Sequence, residues 1–380
     1  MSDGPVIPPL GAAVEAATQA IDAALMAMVT KAQAPSPGTP AAPAPPGSTG
    51  AGPAAATTET PAPSQSPTSA PPPAEAAPHA ALTAMVAQAA AEQGGLAPLL
   101  ADLAAALPAP DLPAPARAAA AAILATQTPL TEAVTPEGLR SAAQSSGLFL
   151  EANLAAEALN PGAAAPLTGD LKALLVRLIA DLAPTPAPTP PGSPAPAAER
   201  PPPPVRGGAT QGQPAALPAA DIGAGGARLI HALRQDAHAA LARVQLAQAA
   251  SLPKPGAPTL WSLEAPVATP AGAAIAQFEI SRDGHAIGPD AAAQTWRARF
   301  SLNVEPSGPV HAEVALSGGR TRVTLWAERP DALASLGARQ GELSGALAAD
   351  DAAADVAVRV LPGAPARTPP KAGQLVDRRS

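Results

Sequence analysis

The sequence predicts a largely disordered Ala/Pro-rich chain with short α-helices and one small C-terminal α+β domain, in which antiparallel strands are packed against one covering helix. The first observation is composition, because 52 Pro and 31 Gly among 380 residues follow no repeat period. The second is a change from helical to alternating hydrophobicity at about Ala274. The third is the position of the large aromatic side chains, which dominate core energetics. All but Phe149 fall in one stretch: Trp261, Phe278, Trp296, Phe300 and Trp326.

Charge and cysteine content exclude several classes of protein. The chain has no Cys, so disulfide frameworks, thiolate metal sites and Cys nucleophiles are ruled out. A net charge of −7 provides no basic surface for nucleic acid. No stretch of about 18 apolar residues predicts a membrane span. The start MSDGPVIPPL lacks a basic region followed by an apolar run, so any export must use a route other than a secretory signal peptide.

Two proline-rich segments divide the chain. Residues 33–79 and 184–225 contain runs such as PSPGTPAAPAPPGSTG and PTPAPTPPGSPAPAAERPPPPVRGG. Proline removes a backbone donor and biases its neighbour away from helix, so both segments are predicted to be extended linkers. Residues 1–32, ahead of the first linker, are predicted to form an N-terminal helical segment.

Residues 80–183 are predicted to be an Ala-rich helical region made of short pieces. Thr135 and Pro136 indicate one helix start. The strongest pieces are 146–156 and 169–182, the latter with a leucine stripe. Isolated helices shorter than about 12–15 residues are marginal in water, so we expect loose association. After the second linker, residues 226–252 are predicted to form a helix with apolar residues on one face.

The C-terminal α+β domain is predicted over residues 270–362. TWRARFSLNV (295–304) alternates as a half-buried strand, and Gly318 and Gly319 indicate a two-residue hairpin turn. That turn fixes the register and places every apolar pair on one face. The expected pairs are Val314 with Val323, Ala312 with Leu325, and Val310 with Ala327.

A covering helix and a last strand complete the predicted domain. Pro330 suits the first turn of a helix, whose stripe of Leu333, Leu336, Leu343 and Leu347 can cover the sheet. DVAVRVLPG then forms the last strand, and residues 363–380 are predicted to be a disordered tail. On the other face of the hairpin, Trp326 lies across from His311 as a candidate binding surface. The alternative is that a second helix or residues 253–267 cover that face.

No motif predicts catalysis, a metal site or a cofactor. His231 and His238 lie seven residues apart on one helix without an acidic cluster nearby, and GAGGA (223–227) has no preceding strand. Neither G-x-S-x-G nor a P-loop occurs. We therefore expect a protein that is not an enzyme.

The C-terminal segment resembles the C-terminal domain of the flagellar hook-length control protein family. That family's pattern has a strand reaching a proline, then Leu-Gly-x-Val, a hairpin, a strand closing in acid-Arg-Pro, and a leucine-striped helix. Here Ser307 stands where leucine usually precedes the glycine. The matching residues are Leu302, Val304, Pro306, Gly308, Val310, Glu328, Arg329, Pro330, Leu333 and Leu336.

The resemblance implies a cytoplasmic protein that is exported through the flagellar type III apparatus. The extended N-terminal region would act as a molecular ruler for the hook, and the C-terminal domain would switch the export substrate class. The implied partners are the flagellar export gate protein and the hook and hook-cap subunits, and the chain would be a monomer. The alternative is a non-exported proline-rich scaffold. Candidate partner-binding residues are Pro306, Gly308, Val310, His311, Trp326, Glu328, Arg329, Pro330, Leu333 and Leu336.

Overall fold

The computed structural model describes residues 76–133, 135–159, 169–182, 201–221, 223, 225–283, 295–350 and 355–365. The described residues from Thr83 onwards belong to one compact unit. The predicted N-terminal segment, nearly all of the first linker, residues 184–200 of the second linker, and residues 366–380 of the tail lie outside the described residues.

Within the described part of the chain, eight helices and a two-residue strand precede residue 259. The eighth helix is the long one that follows the second linker. The first four helices and the strand occupy residues up to 133. The remaining helices follow at intervals up to residue 251. Their bounds are α1 Ala76–Glu92, α2 Leu96–Ala106, α3 Ala114–Leu124, β1 Thr128–Pro129, α4 Leu130–Ala133, α5 Pro136–Ser145, α6 Leu150–Leu159, α7 Leu171–Asp181 and α8 Gly226–Ser251.

Two of these helices begin at side-chain caps. The Thr135 hydroxyl accepts a hydrogen bond from the Gly138 amide at 3.0 Å, and Pro136 occupies the first turn of α5, as predicted. Asp170 Oδ1 accepts from the Ala173 amide at 2.9 Å at the start of α7. Burial raises the pKa of the Asp170 carboxyl.

The helices pack into one continuous apolar core, so the expected loose association is wrong. Leu99 and Leu103 of α2, Leu175 of α7 and Leu233 of α8 are fully buried together, and Ile275 of the sheet joins them. Burial of one such side chain is worth roughly 1.5–3 kcal/mol. The helices also present buried alanines at their contacts, which allows close approach. The argument from isolated helices failed because these helices are stabilised by each other and by the sheet.

Within the described residues, seven strands form one sheet in sequential order, β1 to β7. Neighbours are antiparallel from β2 to β6, whereas the β1–β2 and β6–β7 pairs are parallel. Two helices connect β6 to β7. The bounds are β2 Thr259–Thr269, β3 Gly272–Arg282, β4 Trp296–Val304, β5 Gly308–Ser317, β6 Arg320–Ala327, α9 Pro330–Ala338, α10 Gln340–Asp350 and β7 Asp355–Pro362.

The prediction of a small domain with one covering helix is therefore wrong. Strand β2 adds to the sheet ahead of the predicted domain, and α9 and α10 are separate helices that both pack on β7. Towards the opposite edge of the sheet, α8 packs on β2 and α2 packs on β3. Strand β2 escaped prediction because almost every one of its residues is buried, so its sequence does not alternate cleanly.

The hairpin register is confirmed. Val314 pairs with Val323, Ala312 with Leu325, and Val310 with Ala327. Gly318 and Gly319 have φ of 54° and 74°, the positive values that a two-residue type I′ turn requires. The aromatic side chains also meet on the sheet, because Trp261 stacks on Trp296 and Phe278 contacts Phe300.

Residues 201–221, which we call the strap, differ from the predicted linker. They run extended across the molecule, and one antiparallel bridge joins Gln213 to Ile275 of β3. The Arg206 guanidinium donates to the carbonyls of Ala250 and Leu252, which end α8, and to Pro258. The strap is thus bonded to both the helices and the sheet.

Candidate partner-binding site

The predicted motif residues meet at one end of the sheet, where the β4–β5 turn lies beside the start of α9. Arg329 is the centre of this arrangement. Its two terminal nitrogens donate to Glu305 Oε2 at 2.6 Å and Oε1 at 2.7 Å, and Nη1 also donates to the Pro306 carbonyl at 2.7 Å. This bidentate pair fixes the turn against the end of β6.

Gly308 allows this contact. Its φ is +70°, and a Cβ atom at this position would lie 2.5 Å from Arg329 Nε. A larger residue would therefore have to displace the arginine as well as adopt a strained backbone. The glycine of the family pattern is explained here by the close approach of Arg329.

The arginine also sets the charge of the turn. Its hydrogen bonds hold the pKa of the Glu305 carboxyl below its usual range, and Glu305 raises the pKa of Arg329 in return. The two side chains remain 45% and 56% exposed. An exposed pair of this kind contributes little to stability, and its charges remain accessible to solvent.

Glu328 ties the end of β6 to the start of β5. Its carboxylate lies 2.9 Å from Nε2 of His311, and its amide donates to the Pro309 carbonyl at 3.2 Å. The His311 ring is buried, and its Nδ1 has no hydrogen-bond partner among the described residues. His311 is therefore part of the packed sheet rather than an accessible contact, whereas Glu328 is exposed.

Trp326 lies across from His311, as predicted, and is half-buried. On its other side it pairs with Leu361 of β7, which is 40% exposed. Residues 253–267 do not cover this face, because most of them form β2. The strap covers the neighbouring strands instead, and Gly212 lies against the backbone of Ser301 and Leu302.

The remaining candidate residues support the fold from the other side. Val310 points to the face opposite His311, opposite Ala327 of β6. Leu333 and Leu336 are half-buried in α9, which packs on β6 and β7. Pro330 begins that helix. The structure thus brings the charged motif residues together at one end of the sheet, and places Leu333 and Leu336 in the helix that packs on β6 and β7.

Sequence reasoning missed two ionic groups. Glu305, the partner of Arg329, directly precedes Pro306 and could have been found from the opposite charges that flank the hairpin. The second is a buried pair: Arg243 of α8 donates from Nε to both carboxylate oxygens of Glu264 at 2.8 Å. A charge within the apolar run of β2 was the available signal. Arg243 Nη1 also donates to Gln93 Oε1 at 2.7 Å.

The described residues hold no group of three or more His, Asp or Glu side chains that could bind a metal ion. His231 and His238 are exposed, and Asp355 pairs with Arg320 at 3.4 Å. No helix in the described part of the chain is long and apolar enough to cross a membrane.

Comparison with known proteins found a similarity, and it covers the motif residues. Residues 284–360 match the family model described as flagellar hook-length control protein FliK. This range contains the β4–β5 turn, the hairpin and α9. No curated protein and no solved structure matches the chain.

Proposed function

Residues 284–360 carry a flagellar hook-length control domain, and from this premise we propose that the chain is an exported hook-length control protein. The region ahead of the domain gauges the growing hook. The domain then switches the class of substrate that the export apparatus accepts. The family match is the observation that carries this proposal.

The charged end of the sheet is the surface we assign to the switch. Arg329, Glu305 and Glu328 are exposed there, and Trp326 and Leu361 provide apolar area beside them. Partner surfaces commonly combine an aromatic anchor with a charged rim. We propose the export gate protein as the partner of this surface, and the hook and hook-cap subunits as partners of the region ahead. The role is one of binding, not catalysis, and the protein acts as a monomer.

To measure the length of the hook, the chain has to pass through the export conduit in an unfolded state. The compact unit beginning at Thr83 must then lose its helices and sheet during transit. Domains are held by only about 5–15 kcal/mol, which a driven export step can supply. No disulfide has to be broken, since the chain has no Cys. About 270 residues ahead of the domain span up to roughly 900 Å when fully extended.

The test separates the ruler from the switch. Removal of residues 33–75, which precede the compact unit, is expected to give shorter hooks of uniform length. The double substitution Trp326→Ala and Arg329→Ala is expected to leave secretion intact but to give hooks of uncontrolled length. Hook lengths are measured by electron microscopy, and secretion by detection of the protein in the medium. Wild-type hooks in both strains contradict the proposal, and retention of the native chain in the cell favours the scaffold alternative.

A further inference from the structure

The strap differs from the other segments of the compact unit in how it is held. Its backbone amides donate to side chains that rise from the face of the sheet. The Gly207 amide donates to Glu279 Oε2 at 2.7 Å, and the Gln211 amide to Gln277 Oε1 at 2.6 Å. The sheet therefore recognises the strap largely through its main chain, as peptide-binding sites recognise extended ligands.

One strap residue completes an edge that the sheet leaves open. Strand β3 pairs with β4 only from Gln277 to Arg282, so its earlier residues lack that neighbour. Gln213 takes the free position: its amide donates to the Ile275 carbonyl, and its carbonyl accepts from the Ile275 amide, both at 2.9 Å. This is strand addition at a single residue.

Two adjacent residues supply the specificity. The Gly212 amide donates to Ser301 Oγ at 3.0 Å, and a Cβ on Gly212 would lie 2.8 Å from Leu302 Cα, so only glycine can cross β4 here. The Gln213 side chain is buried and reaches Glu264 at 3.3 Å and the Ala97 amide at 3.4 Å. It therefore contacts the sheet and α2 at once.

The strap makes its apolar contacts through small side chains, since Pro204 is buried and Ala216 and Ala220 pack against the helical core. Its largest aliphatic side chain, Leu217, is 86% exposed. The groups that bond residues 207–213 of the strap are carboxylates, an amide and a hydroxyl, which water can hydrogen-bond once the strap leaves. Release would cost hydrogen bonds that are largely replaced by water, and the apolar surface that it exposes would be mainly that beneath small side chains.

We propose that the face of β2–β4 bearing Glu264, Gln277, Glu279 and Ser301 is a binding site for an extended Gly-Gln-containing peptide. The strap is its exchangeable occupant, held in cis. Because the strap is part of the same chain, its effective concentration is high and the site stays filled. Release of the strap detaches the links that it makes between the helices and the sheet. The inference does not depend on the proposed function.

The experiment supplies the strap in trans. Residues 201–221 are replaced by a Gly/Ser segment of equal length, and a fluorescent peptide of residues 201–221 is titrated into this chain and into the intact chain. Anisotropy is expected to show saturable binding to the replaced chain, and binding at least roughly tenfold weaker to the intact chain, whose site is filled.

Peptide variants test the specificity. Gly212→Val and Gln213→Ala peptides are expected to bind roughly tenfold or more weakly. The valine would clash with the backbone of β4, and the alanine removes the buried contacts of the Gln213 side chain. The matched control is Leu217→Ala, whose side chain is exposed and whose peptide is expected to bind like the wild type. The proposal is overturned if all the peptides bind equally well. It is also overturned if no peptide binds to a replaced chain whose circular dichroism spectrum is that of the native chain.

A replaced chain that fails to fold also counts against the proposal, since an exchangeable ligand is not required for the fold. The intact chain provides a second measurement. Protease sites inserted on either side of the strap allow it to be cut free after folding. The cut strap is expected to stay bound on a sizing column and to be displaced by excess unlabelled peptide. A strap that excess peptide cannot displace is an integral part of the fold.

Discussion

The strap-covered side of the sheet and its motif end both rely on ion pairs, yet the two settings differ sharply. Under the strap and α8, Arg243 and Glu264 are 1% and 6% exposed. At the motif end, Arg329 and Glu305 are about half exposed. Buried charges cannot lose a partner without a large penalty, whereas exposed charges are rehydrated at once. The buried pair therefore tolerates only one arrangement of its two side chains, whereas the charges of the exposed pair remain accessible to water.

The largest effect is expected from breaking the buried pair. Arg243→Met leaves the Glu264 carboxylate buried without its partner and should lower the free energy of unfolding by about 3–5 kcal/mol. Urea denaturation of the purified chain measures this. The double variant Arg243→Met and Glu264→Met removes both charges and should recover most of the loss. A single variant as stable as the wild type would show that the pair is not desolvated.

The next effect concerns the helical core. Leu175→Ala in α7 removes a fully buried side chain and should cost about 2–5 kcal/mol. Val176→Ala is the matched control, because this neighbour is 50% exposed and its loss should be small. If the two variants were equally stable in urea, the helices would not form the continuous apolar core that contains Leu175.

A pH effect is expected where the strap meets α2 and α8. Asp102 accepts hydrogen bonds from the Ala219 and Ala220 amides, at 2.5 and 2.9 Å. Burial and the adjacent Asp102 carboxylate raise the pKa of Asp236 to about 7. The folded chain therefore binds more protons than the unfolded chain between about pH 4 and pH 7.

Stability contributed by neutral Asp236 should be present at low pH and fall as the pH rises through that window, then level off. Asp236→Asn keeps a side chain that can donate to Asp102 and should flatten this part of the profile. Urea midpoints measured from pH 4 to pH 8 provide the comparison. If the variant retains the wild-type dependence of the urea midpoint on pH, a group other than Asp236 causes that dependence.

The smallest effect on stability is expected at the motif end. Arg329→Ala removes an exposed pair and should leave the urea midpoint close to that of the wild type. Gly308→Ala should be more harmful, because its Cβ would meet Arg329 as well as strain the backbone. In the double variant the contact is gone, so the two effects should not add. A large loss from Arg329→Ala alone would mean that this end is structural.

Local sequence predicted the hairpin and the start of α9 correctly. Gly318 and Gly319 determine the turn, the turn determines the register, and Pro330 suits the first turn of a helix; all three signals act within a few residues. The motif residues were recognised for the same reason, and residues 284–360 match the family. The pairing of Arg329 with Glu305 was missed because it joins the β4–β5 turn to the residue ahead of α9, which lies 24 residues further along the chain.

The rest depends on distant contacts that local patterns do not contain. Pro201 and Pro202 indicate a linker by composition, yet Arg243 Nη1 donates to their carbonyls from α8. The pieces of the helical region are too short to be stable alone and gain their stability when Leu99, Leu175 and Leu233 meet. Strand β2 also depends on neighbours, since its buried residues gain nothing until helices cover them.

The two-residue strand β1 has a consequence for the timing of folding. Thr128 pairs with Val267, so β1 cannot pair with β2 until about 139 more residues have been synthesised. At 5–20 residues per second, translation of that interval takes roughly 7–28 s. During this delay the helices that have already been made lack the strands on which they pack, so the tertiary structure of this part of the chain is completed only after β2 and β3 have been synthesised.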